Sequence, residues 1–121
     1  MAKKILIVDD EPDILRAAQV RLISFGYEVI TKTDGKDIMG FVKTSMPDLI
    51  LLDLRLPVMG GDEICLRLKK DDALKKIPVI MFTASTDIRM SNKIKEIGAN
   101  GYLIKPFTPE ELMQAVKKFA D

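Results

Sequence analysis

Residues 48–57 read DLILLDLRLP, and the run Leu49 to Leu54 within them decides the fold. Leu49, Ile50, Leu51 and Leu52 follow one another with no polar residue between them. A strand with one wet face alternates apolar and polar residues. A continuous run belongs to a strand covered on both sides, as in a parallel sheet. Asp53 interrupts this run close to its end, where a carboxylate is costly unless something pairs with it.

Working outward, four more short apolar runs share the chain with this one: ILIV at 5–8, YEVI at 27–30, PVIMF at 78–82 and YLI at 102–104. The second is shorter and more polar at its ends, which suits an edge strand. Segments of helical period lie between and after them. From Pro12 to Phe25, Ile14, Ala18, Leu22 and Phe25 form one face, with Pro12 suited to a first turn and Gly26 to a stop. A second helix follows Asp34-Gly35 and carries Ile38, Phe41 and Val42. A third opens after Gly60-Gly61 with Ile64, Cys65 and Leu68. A fourth runs from about Thr86 to Ile97, with Met90, Ile94 and Ile97 toward the core and Ile88, Ser91 and Lys95 on another face; Gly98 ends it. The fifth starts with the capping box Thr108-Pro109-Glu110-Glu111, and Leu112, Ala115, Val116 and Phe119 form its apolar face.

Strands alternating with helices imply right-handed crossovers and a parallel sheet with helices on both faces. The expected architecture is α/β: a doubly wound, flavodoxin-like, five-stranded parallel sheet in the order 2-1-3-4-5, flanked by five helices. The 121 residues suffice for one domain, taken as 1–121. Hydrophobic residues at 47% and charged ones at 31% fit a soluble globular protein. Lys and Arg number 19 against 18 Asp and Glu, a net charge of +1. Such a balance gives no global field to hold nucleic acid or an anionic membrane directly. One cysteine, Cys65, excludes an internal disulfide and suits a reducing compartment. The apolar run at 5–8 is too short for a signal-peptide core or a membrane span, so a cytoplasmic location is expected. The chain has no histidine, so any phosphohistidine chemistry must come from a partner.

In a sheet of this kind, ligands bind outside the carboxyl ends of the strands. The first strand ends in Asp9-Asp10, followed by Glu11. The third carries Asp53, the fourth ends in Thr83 and the fifth in Lys105-Pro106. Four of the five strands thus deliver an ionisable or hydroxyl group to one rim. Carboxylates crowded together need compensating charge. Lys105 supplies one unit, and a hard divalent cation on oxygen ligands, Mg2+ above all, supplies the rest. A further carboxylate can then attack phosphorus and form an acyl phosphate. A metal, an ammonium and a hydroxyl are what phosphoryl transfer calls for.

The runs ILIVDDE, DLILLDLRLP and GYLIKPF and the pair Thr83-Ala84 resemble the receiver domains of two-component response regulators, including the single-domain chemotaxis type, over the whole chain. The resemblance implies a phosphorylation switch rather than an enzyme with a separate substrate. It makes Asp53 the acceptor, with Asp9, Asp10, Asp53 and the backbone carbonyl of Arg55 as ligands of Mg2+ (or Mn2+). Lys105 would pair with the phosphoryl group, Thr83 would be the switch hydroxyl and Tyr102 the switch aromatic. The Lys105-Pro106 bond would be cis. The partner would be a histidine kinase or a histidine phosphotransfer protein, with the downstream target unknown and the chain a monomer or a weak phosphorylation-linked dimer. Asp10 could also cap the first helix. Glu11 could reach the metal through water or simply favour the helix start. The lysine pairs 69–70, 75–76 and 117–118 read as solvated, and Cys65 as a small core residue. Two other classes share the layers or the chemistry. A flavin carrier would want a Ser-, Thr- and Gly-rich loop where this chain has Asp-Asp-Glu-Pro. An aspartyl-phosphate hydrolase would want a cap, for which there are no spare residues.

Overall fold

The computed structural model describes residues 2–84 and 88–120, and of Ile88, Met90 and Ser91 the backbone alone. Strands and helices alternate: β1 (Lys4–Val8), α1 (Pro12–Ser24), β2 (Glu28–Lys32), α2 (Ile38–Ser45), β3 (Leu49–Asp53), α3 (Gly61–Lys70), β4 (Val79–Thr83), α4 (Ile88–Glu96), β5 (Gly101–Ile104) and α5 (Pro109–Ala120). The strands form one parallel sheet in the order β2-β1-β3-β4-β5.

The continuous apolar runs are continuous because both faces of the sheet are covered. All five residues of β3 and of β4 are buried. Alternate side chains feed two separate cores. Leu6, Val8, Ile50, Leu52, Val79 and Met81 pack with residues of α2, α3 and α4. Ile5, Ile7, Leu49, Leu51, Ile80 and Phe82 pack with those of α1 and α5. Fully burying one such leucine or isoleucine contributes about 1.5–3 kcal/mol.

The register between β1 and β3 runs from Ile5 opposite Leu49 to Val8 opposite Leu52. The next pair in that series is Asp9 and Asp53, so the pairing that seals the core also sets two carboxylates side by side at the strand ends. On the far side, Thr83 pairs with Ile104. The N–H of the next residue, Lys105, donates to the Thr83 carbonyl at 2.7 Å.

The helix signals are realised as capping chemistry. Pro12 is at the start of α1, and Gly26 takes φ 93° just beyond its end. In α5 the Glu111 N–H donates to Thr108 Oγ1 and the Thr108 N–H to Glu111 Oε1, both at 3.1 Å. The Lys105-Pro106 bond is cis. Cys65 is fully buried, and burial pushes its thiol up to about 11.

Three expectations need correction. Phe25 is not on the buried face of α1. It is the C-cap, its backbone has left the helix, and the ring is 52% exposed beneath the Lys117 ammonium. Asp10 is not the cap of α1, because the N-cap is Glu11. Lys69 is not solvated: its ammonium donates to the carbonyl of Ile77 at 2.7 Å and to Asn100 Oδ1 at 2.8 Å, tying α3 to the approaches of β4 and β5. On α4, Ile94 and Ile97 are buried and Lys95 exposed as expected. The expectations for Thr86 and for the side chains of Ile88, Met90 and Ser91 lie outside the described residues.

Candidate functional site

The carboxyl ends of β1, β3, β4 and β5 converge as the sequence predicts. Asp9 is fully buried and Asp53 is 7% exposed. Asp10 and Glu11 stand at the open side. One carboxylate oxygen from each of Asp9, Asp10, Glu11 and Asp53 lies within 4.8 Å of the others.

Lys105 enters this acid cluster from the end of β5. Its ammonium stands 2.7 Å from Asp9 Oδ2, 2.9 Å from Glu11 Oε1 and 3.5 Å from Asp53 Oδ2. The other Asp9 oxygen accepts the Glu11 N–H at 2.9 Å, and Asp53 Oδ1 accepts the Arg55 N–H at 3.3 Å. Asp9 Oδ2 is buried and takes no well-directed hydrogen bond among the described residues, so it holds the lysine as an ion-pair contact.

The electrostatics follow from crowding. Burial pushes the Asp53 carboxyl up to about 6, the neighbouring Asp9 charge adds to the rise, and Lys105 and the Arg55 N–H pull against it. Burial works against the charge of Lys105, yet its close contacts with Asp9 and Glu11 and the Asp53 charge hold it above the ordinary lysine value. Four carboxylates against one ammonium leave the cluster short of positive charge. Hard oxygen donors in that number, one with a buried oxygen lacking a directed donor, are the set a divalent cation takes.

The loop after β3 brings the backbone close to the acid cluster. A Cβ at Gly61 would collide with the Asp53 carbonyl oxygen, and the Gly61 N–H donates to the Leu54 carbonyl at 2.9 Å. Val58 lies in the left-handed region at φ 73°, and the Met59 N–H closes on the Pro57 carbonyl at 2.8 Å. This is a γ-turn of positive φ, a strained form rare for a β-branched residue. A cleft of about 490 Å³ opens beside the cluster, lined among others by Asp10, Arg55, Gly60, Asp62 and Lys93. Asp62 and Lys93 pair across it at 3.1 Å.

Thr83 is buried at the end of β4, whose Phe82 is opposite Asp53. Tyr102 is on β5 opposite Met81, 44% exposed and so turned outward. Sequence reasoning missed two contacts. The Glu11 bond to Lys105 spans 94 residues, and the Asp62–Lys93 pair joins α3 to α4. Neither leaves a local pattern, because both partners are ordinary surface residue types.

The family model described as the response regulator receiver domain matches residues 5–117. The chain belongs to that family. It is 40% identical over 117 residues to the alkaline phosphatase synthesis transcriptional regulatory protein PhoP of Bacillus subtilis, covering 97% of this chain and 48% of that protein. It is 34% identical over 114 residues to protein PilG of Pseudomonas aeruginosa, covering 94% of this chain and 84% of that one. Among solved structures, the chemotaxis response regulator CheY4 of Vibrio cholerae superposes with a TM-score of 0.92 at 32% identity, covering 98% of this chain and 99% of that one. The chain spans about half the length of the first curated relatives it matches, such as the 47% it covers of a probable transcriptional regulator from Porphyridium aerugineum.

Receiver domains are signalling switches of two-component systems rather than conventional enzymes. They work with histidine kinases and downstream targets, and they bind divalent metal in an acidic pocket. No helix among the described residues is long and apolar enough to cross a membrane.

Proposed function

We propose that the chain takes a phosphoryl group from a partner phosphohistidine onto Asp53 and changes its α4-β5-α5 surface in response. The observation that carries this is the ammonium of Lys105 set among Asp9, Glu11 and Asp53, with Leu54 and Arg55, the two residues after Asp53, lining the open cleft. A carboxylate oxygen of Asp53 forms the new O–P bond, while the P–N bond of the donor breaks and its electron pair leaves with the imidazole. Asp9, Asp10, Asp53 and the Arg55 carbonyl would hold the Mg2+ (or Mn2+). When bound, the cation offsets carboxylate repulsion and steadies charge on the phosphoryl oxygens. Lys105 would pair with that charge as well. The Thr83 hydroxyl supplies the contact that differs between the two states, and Tyr102 turns inward behind it. A ligand shifts such an equilibrium only through differential contacts. The chain is read as one domain, cytoplasmic, and a monomer or a weak dimer when phosphorylated.

The test is intact mass after incubation with acetyl phosphate and Mg2+. One added phosphoryl group is expected, absent in Asp53→Asn and blocked by a chelator. Full phosphorylation of that variant would refute the assignment.

A further inference from the structure

Glu11 breaks a local rule at the start of α1. It occupies the N-cap, where a short polar side chain would accept a first-turn N–H, and it makes no such bond. Pro12 follows it and offers no N–H. The Glu11 side chain instead crosses to the end of β5 and holds the Lys105 ammonium at 2.9 Å. A residue that contradicts its local position is explained by what it holds elsewhere.

The ammonium has three carboxylates in reach, and Asp53, at 3.5 Å, is the farthest. Of the three, only Glu11 stands in solvent: its side chain is 59% exposed, against 0% for Asp9 and 9% for Asp53. Glu11 is therefore the partner that can let go most readily, because water replaces what it loses. A Glu11 oxygen also belongs to the acid cluster, so the ammonium sits among three of the four carboxylates, Asp9, Glu11 and Asp53, that an incoming cation would approach. Like charges repel in so small a space.

We infer that Glu11 is a positioning residue, a holding partner that keeps the Lys105 ammonium drawn away from Asp53 until a phosphoryl group offers it a stronger anion. This rests on the proposed acceptor role of Asp53. No bond to Glu11 is made or broken in the transfer; the ammonium moves from the Glu11 carboxylate to a phosphoryl oxygen. Glu11→Gln keeps the shape and one acceptor oxygen and removes the charge.

The experiment compares wild type with Glu11→Gln in protein labelled with 15N-lysine. The Lys105 ammonium signal is followed without metal, and the rate of phosphorylation by acetyl phosphate is then measured at saturating Mg2+. The expected result is a displaced Lys105 signal in the variant and phosphorylation about two- to fivefold faster, the factor a half-exposed ion pair supports. A Lys105 signal identical in the two proteins, or an unchanged or slower rate in the variant, overturns the inference. Slower phosphorylation with weaker Mg2+ binding would make Glu11 a metal ligand instead. If wild type gained no phosphoryl group, the acceptor assignment would fall, and the metal-free Lys105 signal alone would still decide whether Glu11 holds the lysine.

Discussion

Burial and the Asp9 charge outweigh Lys105 and push the Asp53 carboxyl up to about 6. The native state therefore binds this proton more tightly than the unfolded chain does. The stabilisation it brings is complete below the unfolded value near 3.8 and is lost as pH rises through about 6. At neutral pH without metal the ionised group strains the fold. Asp53→Asn should then be more stable than wild type by on the order of 1–3 kcal/mol. Urea unfolding in chelator should show that gap at pH 7.5 and its disappearance near pH 4; an equal gap at both would deny the strain. A second residue also stores strain. Val58→Gly removes a Cβ from a left-handed position and should raise the urea midpoint by the equivalent of about 1 kcal/mol. An unchanged or lower midpoint would mean that the γ-turn carries no net penalty. The importance of Asp53 was legible from one polar letter in an apolar run. The backbone conformation of Val58 was not, because valine carries no preference for positive φ and the turn is imposed by its surroundings. Phe25 failed for a related reason: helical spacing continues in the sequence after the backbone has left the helix.

At the level of elements, the helix ends were the most readable features and the side-chain crossings the least. The capping box of α5 forms bond for bond, since both of its partners lie within one turn. Thr108→Ala should cost about 1 kcal/mol and speed amide exchange in the first turn of α5. Hydrogen exchange that stays uniform along the helix would show that the cap contributes nothing. Lys69 could not be read as a strut, because nothing in a Lys-Lys pair separates a solvated amine from one that bonds Ile77 and Asn100. The switch belongs to this scale too. Thr83 sits at the end of β4 and Tyr102 on β5, so Thr83→Ala should still accept a phosphoryl group yet lose most of the amide shift changes over 86–107. Wild-type shifts in the phosphorylated variant would break the proposed coupling.

For the whole molecule, the acid cluster joins folding to metal binding. A cation that binds only the native site stabilises by about 2.7 kcal/mol at a hundred times its dissociation constant. Mg2+ should raise the melting temperature, chelator should reverse the rise, and Asp10→Asn should diminish it more than Glu11→Gln does. Calorimetric titration giving the opposite ranking would reverse the assignment of Asp10 to the site and Glu11 to its margin. Sheet order and the meeting of four strand ends could be read directly from the alternation of elements. The distances that rank the partners of Lys105 could not, since they depend on side chains converging from three different elements.

The β1–β3 register carries one more consequence. Because Asp9 faces Asp53 only as the next step after Val8 and Leu52, the site works as a built-in gauge of alignment. A chain whose first strand had slipped by a single residue would turn that strand's side chains to the opposite face. It could still be compact and rich in secondary structure, yet its two aspartates would no longer meet. Cation uptake would then report on the fidelity of the sheet, separating correctly registered molecules from collapsed ones that circular dichroism would count as folded.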